Sequence, residues 1–131
     1  MTFRTGIDIL EIERIRKLMT TSEARFLSRH FTEQEVRYCR SRSDPAVHFA
    51  GRLAAKEAMY KALHLSWKKG FSWKQIEILP SQEGFPVVQL HSDIQTIFQS
   101  SGFVKSEISI SHTKFYAAAS ALIWSFDRLP G

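Results

Sequence analysis

The sequence predicts an α+β fold: one domain in which helices pack on a largely antiparallel sheet. Three observations predict it. Helical periodicity fills the first half of the chain and strand patterns the second. The later strand candidates are short and joined by tight turns, which suits antiparallel pairing. At 131 residues the chain has room for one domain with a real core and little room for two. Residues 1–126 are expected to form that domain, and residues 127–131 a frayed tail.

Residues 6–10 read as a short strand, apolar on both sides of Asp8, so both faces are expected to be covered. A helix follows over about residues 11–19, with Ile12, Ile15, Leu18 and Met19 as its apolar stripe. Ser22 is placed to cap a second short helix reaching about His30. Thr32 and Glu35 have capping-box spacing and open a helix to about Arg40. Asp44-Pro45 is the next start, with Asp44 as N-cap and Pro45 at the first helical position. The helix after it, to about Leu63, is the longest. Residues 75–79 and 86–90 read as strands around a turn at Gln82-Glu83-Gly84. Ser92 is placed to cap a helix that stops at Gly102. Residues 107–111 alternate as a half-buried strand does, and a turn at His112-Thr113-Lys114 leads into a last strand over about residues 116–124.

Composition narrows the function classes. No apolar run is long enough to cross a membrane, and the N-terminus lacks a signal peptide's apolar stretch. Cys39 is the single cysteine, so no internal disulfide forms. These features fit a cytoplasmic protein. The net charge of +5 is uneven: residues 1–69 carry +6 and the remainder −1. Such a field suits an anionic partner: nucleic acid, an acidic protein or a polyphosphate. One cysteine and scattered histidines argue against zinc. There is no Walker-type glycine loop and no dinucleotide fingerprint.

The helix over residues 44–63 is nearly apolar all round, the mark of a buried helix. Glu57 and Lys61 are set into it at i,i+4 spacing, with Arg52 and Lys56 elsewhere on its circumference. One reading of Glu57 and Lys61 is an ordinary ion pair at a solvated edge. Asp8 is a charge in an apolar strand, and a buried carboxylate needs a compensating partner. An arginine would serve, and so would a hard cation. Asp8 and Glu57 together would give two carboxylate oxygens to magnesium, which takes its other ligands from water and substrate phosphates. Ser109-Ile110-Ser111-His112-Thr113 puts hydroxyls and an imidazole at a strand end. It reads either as a turn whose N–H groups hold a phosphate or as a hairpin bonding its own backbone.

These pieces, in order and spacing, resemble the holo-acyl-carrier-protein synthases, the short, stand-alone phosphopantetheinyl transferases. The matching stretches are Gly6-Ile7-Asp8-Ile9, Phe31-Thr32-x-x-Glu35, Gly51-Arg52-Leu53-Ala54-Ala55-Lys56-Glu57-Ala58-x-x-Lys61, Gly84-x-Pro86 and Ser109-Ile110-Ser111-His112-Thr113. The resemblance implies transfer of 4'-phosphopantetheine from coenzyme A to a carrier-protein serine. It implies that Asp8 and Glu57 bind Mg²⁺ and that Lys61 sits on the pyrophosphate, as charge stabiliser or general base. It further implies that Arg52, His112 and Thr113 contact the 3'-phosphate end, with Gly84 and Pro86 near the nucleotide. Arg14, Arg25, Phe26 and Arg29 fall where the family docks its acidic carrier. A homotrimer with active sites between subunits is implied as well. The stretch over residues 66–73, rich in tryptophan, departs from the family pattern. Two rivals stand beside this reading. One is a basic nucleic-acid-binding module using Arg14, Arg25, Arg29 and Arg37. The other is a non-catalytic member of the same fold.

Overall fold

Strand β1 (Thr2–Glu11) and helix α4 (Pro45–Ala62) meet backbone to backbone at Gly6, where an added Cβ would lie 1.9 Å from the Ala58 carbonyl oxygen. That contact fixes the architecture, which a computed structural model describes for residues 1–66 and 70–126. β1 pairs with β5 (Tyr116–Ser125), which pairs in turn with β4 (Lys105–His112), giving an antiparallel sheet of order β1-β5-β4. α4 crosses one face of this sheet. Its small residues Ala54, Ala55, Ala58 and Ala62 are fully buried there, which lets the helix sit close.

The remaining helices wrap α4. α1 (Ile12–Thr21) buries Ile12 and Ile15. α2 (Glu23–His30) buries Phe26 and Leu27, and α3 (Glu33–Arg40) buries Glu35 and Cys39. Strands β2 (Ile76–Pro80) and β3 (Pro86–Leu90) form a separate two-stranded antiparallel sheet, followed by α5 (Ser92–Ser100). Two apolar clusters result. One packs α4 against both sheets and α5. The other packs α1, α2 and α3 against the first half of α4.

The predicted class and the order of elements hold, with the sheet divided in two. The capping box at Thr32 and Glu35 is formed, both reciprocal bonds being present. Three other caps differ. Ser22 makes no side-chain cap bond. Asp44 directs its carboxylate to Arg16 in a two-pronged ion pair of 2.7 and 2.8 Å rather than closing a cap bond. Ser92 is the first residue of α5, at φ +53°, with His91 in the cap position.

β1 is longer than predicted, and only one of its faces is covered within the chain. Ile7 and Ile9 are 70% and 63% exposed, because α4 occupies the other side of the sheet. The expected tail at residues 127–131 and part of the tryptophan-rich stretch lie outside the described residues.

Candidate active site

Asp8 follows Gly6 by two residues, so it shares Gly6's face of β1 and looks onto α4. Glu57 and Lys61 flank Ala58 and are one helical turn apart. Lys61 Nζ donates to the Ile7 carbonyl oxygen at 2.9 Å and to Asp8 Oδ1 at 3.1 Å. Asp8 Oδ2 is buried and accepts from no donor. Burial pushes the Glu57 carboxyl up to about 7. Hydrogen bonding with Asp8 and the charge of Asp8 add to the rise, against the smaller pull of Lys61 and Arg14. The structure thus gathers Asp8, Glu57, Lys61 and Arg14 at one place, from β1, α4 and α1.

Of the two partners that sequence left open for Asp8, no arginine bonds its carboxylate among the described residues. Lys61 covers one oxygen of Asp8, and a second carboxylate, Glu57, stands close enough for the two to interact. Two carboxylates at such range need a proton or a cation between them. An orphaned buried oxygen beside a proton-retaining carboxylate fits a hard divalent ion. Among the described residues there is no group of three or more His, Cys, Asp or Glu side chains that would hold a metal alone. A two-carboxylate site leaves the remaining positions to water and substrate oxygens, as magnesium does.

A second polar cluster surrounds the Tyr38 ring. The Arg52 guanidinium lies 4.1 Å from the ring centroid and that of Arg42 5.9 Å. His48 meets the ring edge-on at 6.1 Å. Arg52 is 5% exposed and its Nε has no partner. Burial holds the His48 imidazole below its ordinary value, and the charges of Arg52, Arg42 and His112 lower it further. The one carboxylate acting on His48, Asp44, is already committed to Arg16. Neither Arg42 nor Arg52 is in an ion pair among the described residues. The cluster brings Arg52 to His48, on which the charge of His112 also acts. His48 and Arg42 went unremarked, although Asp44, His48 and Arg52 recur every fourth residue along one helix face, a pattern visible in the sequence.

Thr113 behaves as the plain-hairpin reading has it. Its Oγ1 accepts from the N–H groups of Phe115 and Tyr116 at 3.3 and 3.1 Å, and its own N–H donates to the Tyr116 carbonyl. Gly84 sits in the β2–β3 turn at φ +95°, its N–H bonded to the Ser81 carbonyl, with open space around it. Arg14, Arg25 and Arg29 are exposed. Phe26 needs correction: it is 5% exposed and packs on Phe31 and His30, so it anchors α2 to the core and offers no ring to a partner.

Lys56 also parts from the sequence reading, which set it beside Arg52 on the helix. It is wholly buried and donates to Glu35 Oε1, the Trp73 carbonyl and the Ile76 carbonyl at 2.8, 3.0 and 2.6 Å. Glu35 accepts in addition from the backbone N–H groups of Thr32 and Ile78. Glu77, also buried, accepts from the Thr32 hydroxyl at 2.6 Å and meets His91 at 3.1 Å. Nothing in the local spacing announced this network, because its members lie 14 to 45 residues apart.

The fold brings two carboxylates together from β1 and α4, and comparison with known proteins gives the class of protein to which such a fold belongs. Residues 4–124 match the family described as ACPS, the 4'-phosphopantetheinyl transferase superfamily, and the chain belongs to it. It is 46% identical over 125 residues to a holo-[acyl-carrier-protein] synthase of Protochlamydia amoebophila, covering 95% of this chain and 99% of that one. It is 44% identical over 117 residues to one of Chlamydia pneumoniae, covering 89% and 93%. Among solved structures it is similar to a Chronobacterium ammoniagenes ACPS-CoA complex, with TM-score 0.85, 28% identity and coverage of 98% and 100%. A Helicobacter pylori holo-[acyl-carrier-protein] synthase in complex with coenzyme A gives TM-score 0.80 at 29% identity, covering 92% and 99%.

Proposed function

We propose that the chain is a holo-acyl-carrier-protein synthase that transfers 4'-phosphopantetheine from coenzyme A to a serine of apo acyl carrier protein, with Mg²⁺ held by Asp8 and Glu57. The observation that carries the metal role is the pairing of the Asp8 and Glu57 carboxylates, which raises Glu57 to about 7, at a site where Oδ2 of Asp8 is buried. The relatives named above support the reaction.

In this reaction the serine oxygen bonds to the phosphorus bearing the pantetheine arm. The diphosphate P–O bond breaks, the serine proton passes to solvent water, and adenosine 3',5'-bisphosphate leaves. Such chemistry rests on positioning and charge neutralisation. A bound Mg²⁺ supplies Lewis-acid polarisation of the diphosphate. Lys61 already donates to two oxygens, which supports an ammonium that donates next to the leaving phosphate rather than one that removes a proton. Arg52 and Arg42 supply cations for the 3'-phosphate, and His112 and His48 stand beside them as hydrogen-bonding imidazoles. Thr113 stands at the adjoining turn, and Gly84 and Pro86 are assigned to the nucleotide. Arg14, Arg25 and Arg29 steer an acidic carrier.

The uncovered face of the β1-β5-β4 sheet, with Phe3, Ile7 and Ile9 exposed, supports assembly into a homotrimer. A cytoplasmic location fits both substrates of the reaction.

The test is mass spectrometry of apo carrier incubated with the protein, coenzyme A and Mg²⁺. A gain of one phosphopantetheine arm is expected. Absence of the gain overturns the reaction, and a gain that persists under a chelator overturns the metal assignment.

A further inference from the structure

A basic groove lies outside the site described above. It runs along α2, between α3 and the 3-10 turn Trp73–Gln75, as two clefts that share Ser28 and Lys74. The rings of Tyr60, Phe71 and Trp73 line one end, with centroids 5.0, 5.3 and 5.4 Å apart. Tyr60 and Lys61 share the last turn of α4, Tyr60 turned to the groove and Lys61 to β1. Leu27 and Val36 line the other end, between α2 and α3.

The charge of the groove is one-sided. Arg29, Arg37 and Lys74 are exposed, and no ion pair engages them among the described residues. Arg40 is neutralised by Glu23 at 2.6 Å, and Glu33 is the one acid in the lining. The wall is also held in place. Lys56 Nζ grips the Trp73 carbonyl, and Ser72 Oγ accepts from the Lys74 N–H at 3.2 Å. A preorganised surface with free cations over aromatic and aliphatic side chains fits an acidic, amphipathic protein segment. Nucleic acid fits it less well, because the three rings pack tilted or edge-on against one another and leave no parallel faces for a base to enter.

We propose that this groove docks the protein substrate, carrying the contact from Arg25 and Arg29 across to Arg37, Trp73 and Lys74. The inference rests on the transferase reading. An acidic helix of the carrier lies along the groove, its carboxylates on Arg37 and Lys74 and its apolar side chains on Trp73 and Val36. The serine-bearing end then points toward Lys61.

The test compares transfer kinetics of wild type with a Lys74→Glu, Arg37→Glu double variant, varying apo carrier and coenzyme A separately. The expected result is a carrier KM raised about tenfold, a coenzyme A KM and kcat within about twofold of wild type, and a weaker salt dependence of kcat/KM. Both positions are exposed, so the thermal midpoint should hold. If it falls, the Lys74→Gln, Arg37→Gln variant is read instead and should show a smaller rise of the same kind. Unchanged carrier KM in a folded variant, while Arg25→Glu raises it, sinks the groove and leaves the transferase reading standing. A wild-type protein that transfers nothing sinks both. Loss of single-stranded oligonucleotide binding in the double variant, with carrier KM unchanged, assigns the groove to nucleic acid and also overturns the proposal.

Discussion

Lys61 Nζ lies 3.1 Å from Asp8 Oδ1 and leaves Oδ2 of the same carboxylate without a donor. The pair is asymmetric: the Asp8 side chain is 10% exposed and that of Lys61 55%. Lys61 therefore does not complete the site, and Glu57 adds a second negative charge where one is already under-compensated. Asp8→Asn and Glu57→Gln should each lower transfer by more than about a hundredfold, the scale expected when a metal ligand itself is removed. In the metal-free protein the same substitutions should hold or raise the thermal midpoint, since each relieves repulsion between carboxylates. Near-normal turnover in either variant removes the metal role.

The Glu57 carboxyl, raised to about 7 from an ordinary 4.5, gives a pH signature in chelator-treated protein. Between those values the native state binds a proton that the unfolded chain has lost, so this group's contribution falls as pH rises from 4.5 through 7. His30 and His48, both lowered mainly by burial, act with the opposite sign near pH 6. The readout is therefore the difference between wild type and Glu57→Gln in unfolding free energy across pH 5 to 8. The variant should gain relative to wild type as pH rises. A flat difference would show that Glu57 titrates normally.

Lys56 and Glu35 form the most deeply buried ion pair among the described residues, with both side chains at 0% exposure. Lys56→Met keeps the stem and deletes the ammonium, leaving Glu35 charged and the carbonyls of Trp73 and Ile76 without their donor. The expected loss is about 3–5 kcal/mol, as for a buried pair with one partner removed. The Lys56→Met, Glu35→Gln double variant should recover part of it, because no uncompensated charge remains. Urea unfolding of both checks this. A double variant no better than Lys56→Met would place the cost in packing rather than charge.

What sequence made legible was local. The Thr32 and Glu35 box and the nearly apolar, buried helix α4 each express a cap or a period, and each is formed as read. Asp8 stood out because a carboxylate in an apolar run demands an explanation. Phe26 misled because an aromatic residue between Arg25 and Arg29 suggests a surface anchor, whereas helical rotation turns it inward beside Leu27. The Lys56 network was hidden for a different reason. Its partners come from α3, α4, the 3-10 turn and β2, and only the packed chain brings them together.

The open face of the β1-β5-β4 sheet carries a prediction about assembly. Ile7 pairs with Ser120, which pairs with Ser109, and Ile9 pairs with Ala118, so an apolar stripe on β1 borders small and polar positions. Ile7→Glu with Ile9→Glu should yield monomers by light scattering and markedly reduce transfer, while circular dichroism stays unchanged. A wild-type protein that is monomeric at micromolar concentration would remove the trimer from the proposal.

Three glycines should respond to alanine in a graded way that follows what each faces. At Gly84 the added Cβ meets open space, and only the φ of +95° resists, at about 1 kcal/mol. At Gly51 it meets Ile110 Cγ2 at 2.8 Å, a methyl on a β-branched side chain that moves only with χ1, so the cost is intermediate. At Gly6 it meets the Ala58 carbonyl oxygen at 1.9 Å and the Ala62 nitrogen at 2.9 Å. Those are backbone atoms of a buried helix and cannot yield without moving α4. Gly6→Ala should therefore lose about 3 kcal/mol or more, beyond the usual overpacking range. Because Asp8 stands two residues further along the same strand face, a displaced α4 also carries Glu57 and Lys61 away from Asp8. Any folded fraction should then need more Mg²⁺ for half-maximal transfer, whereas Gly84→Ala should leave the Mg²⁺ requirement unchanged. Wild-type stability and metal dependence in Gly6→Ala would mean that the close approach of β1 and α4 does not set the carboxylate pair.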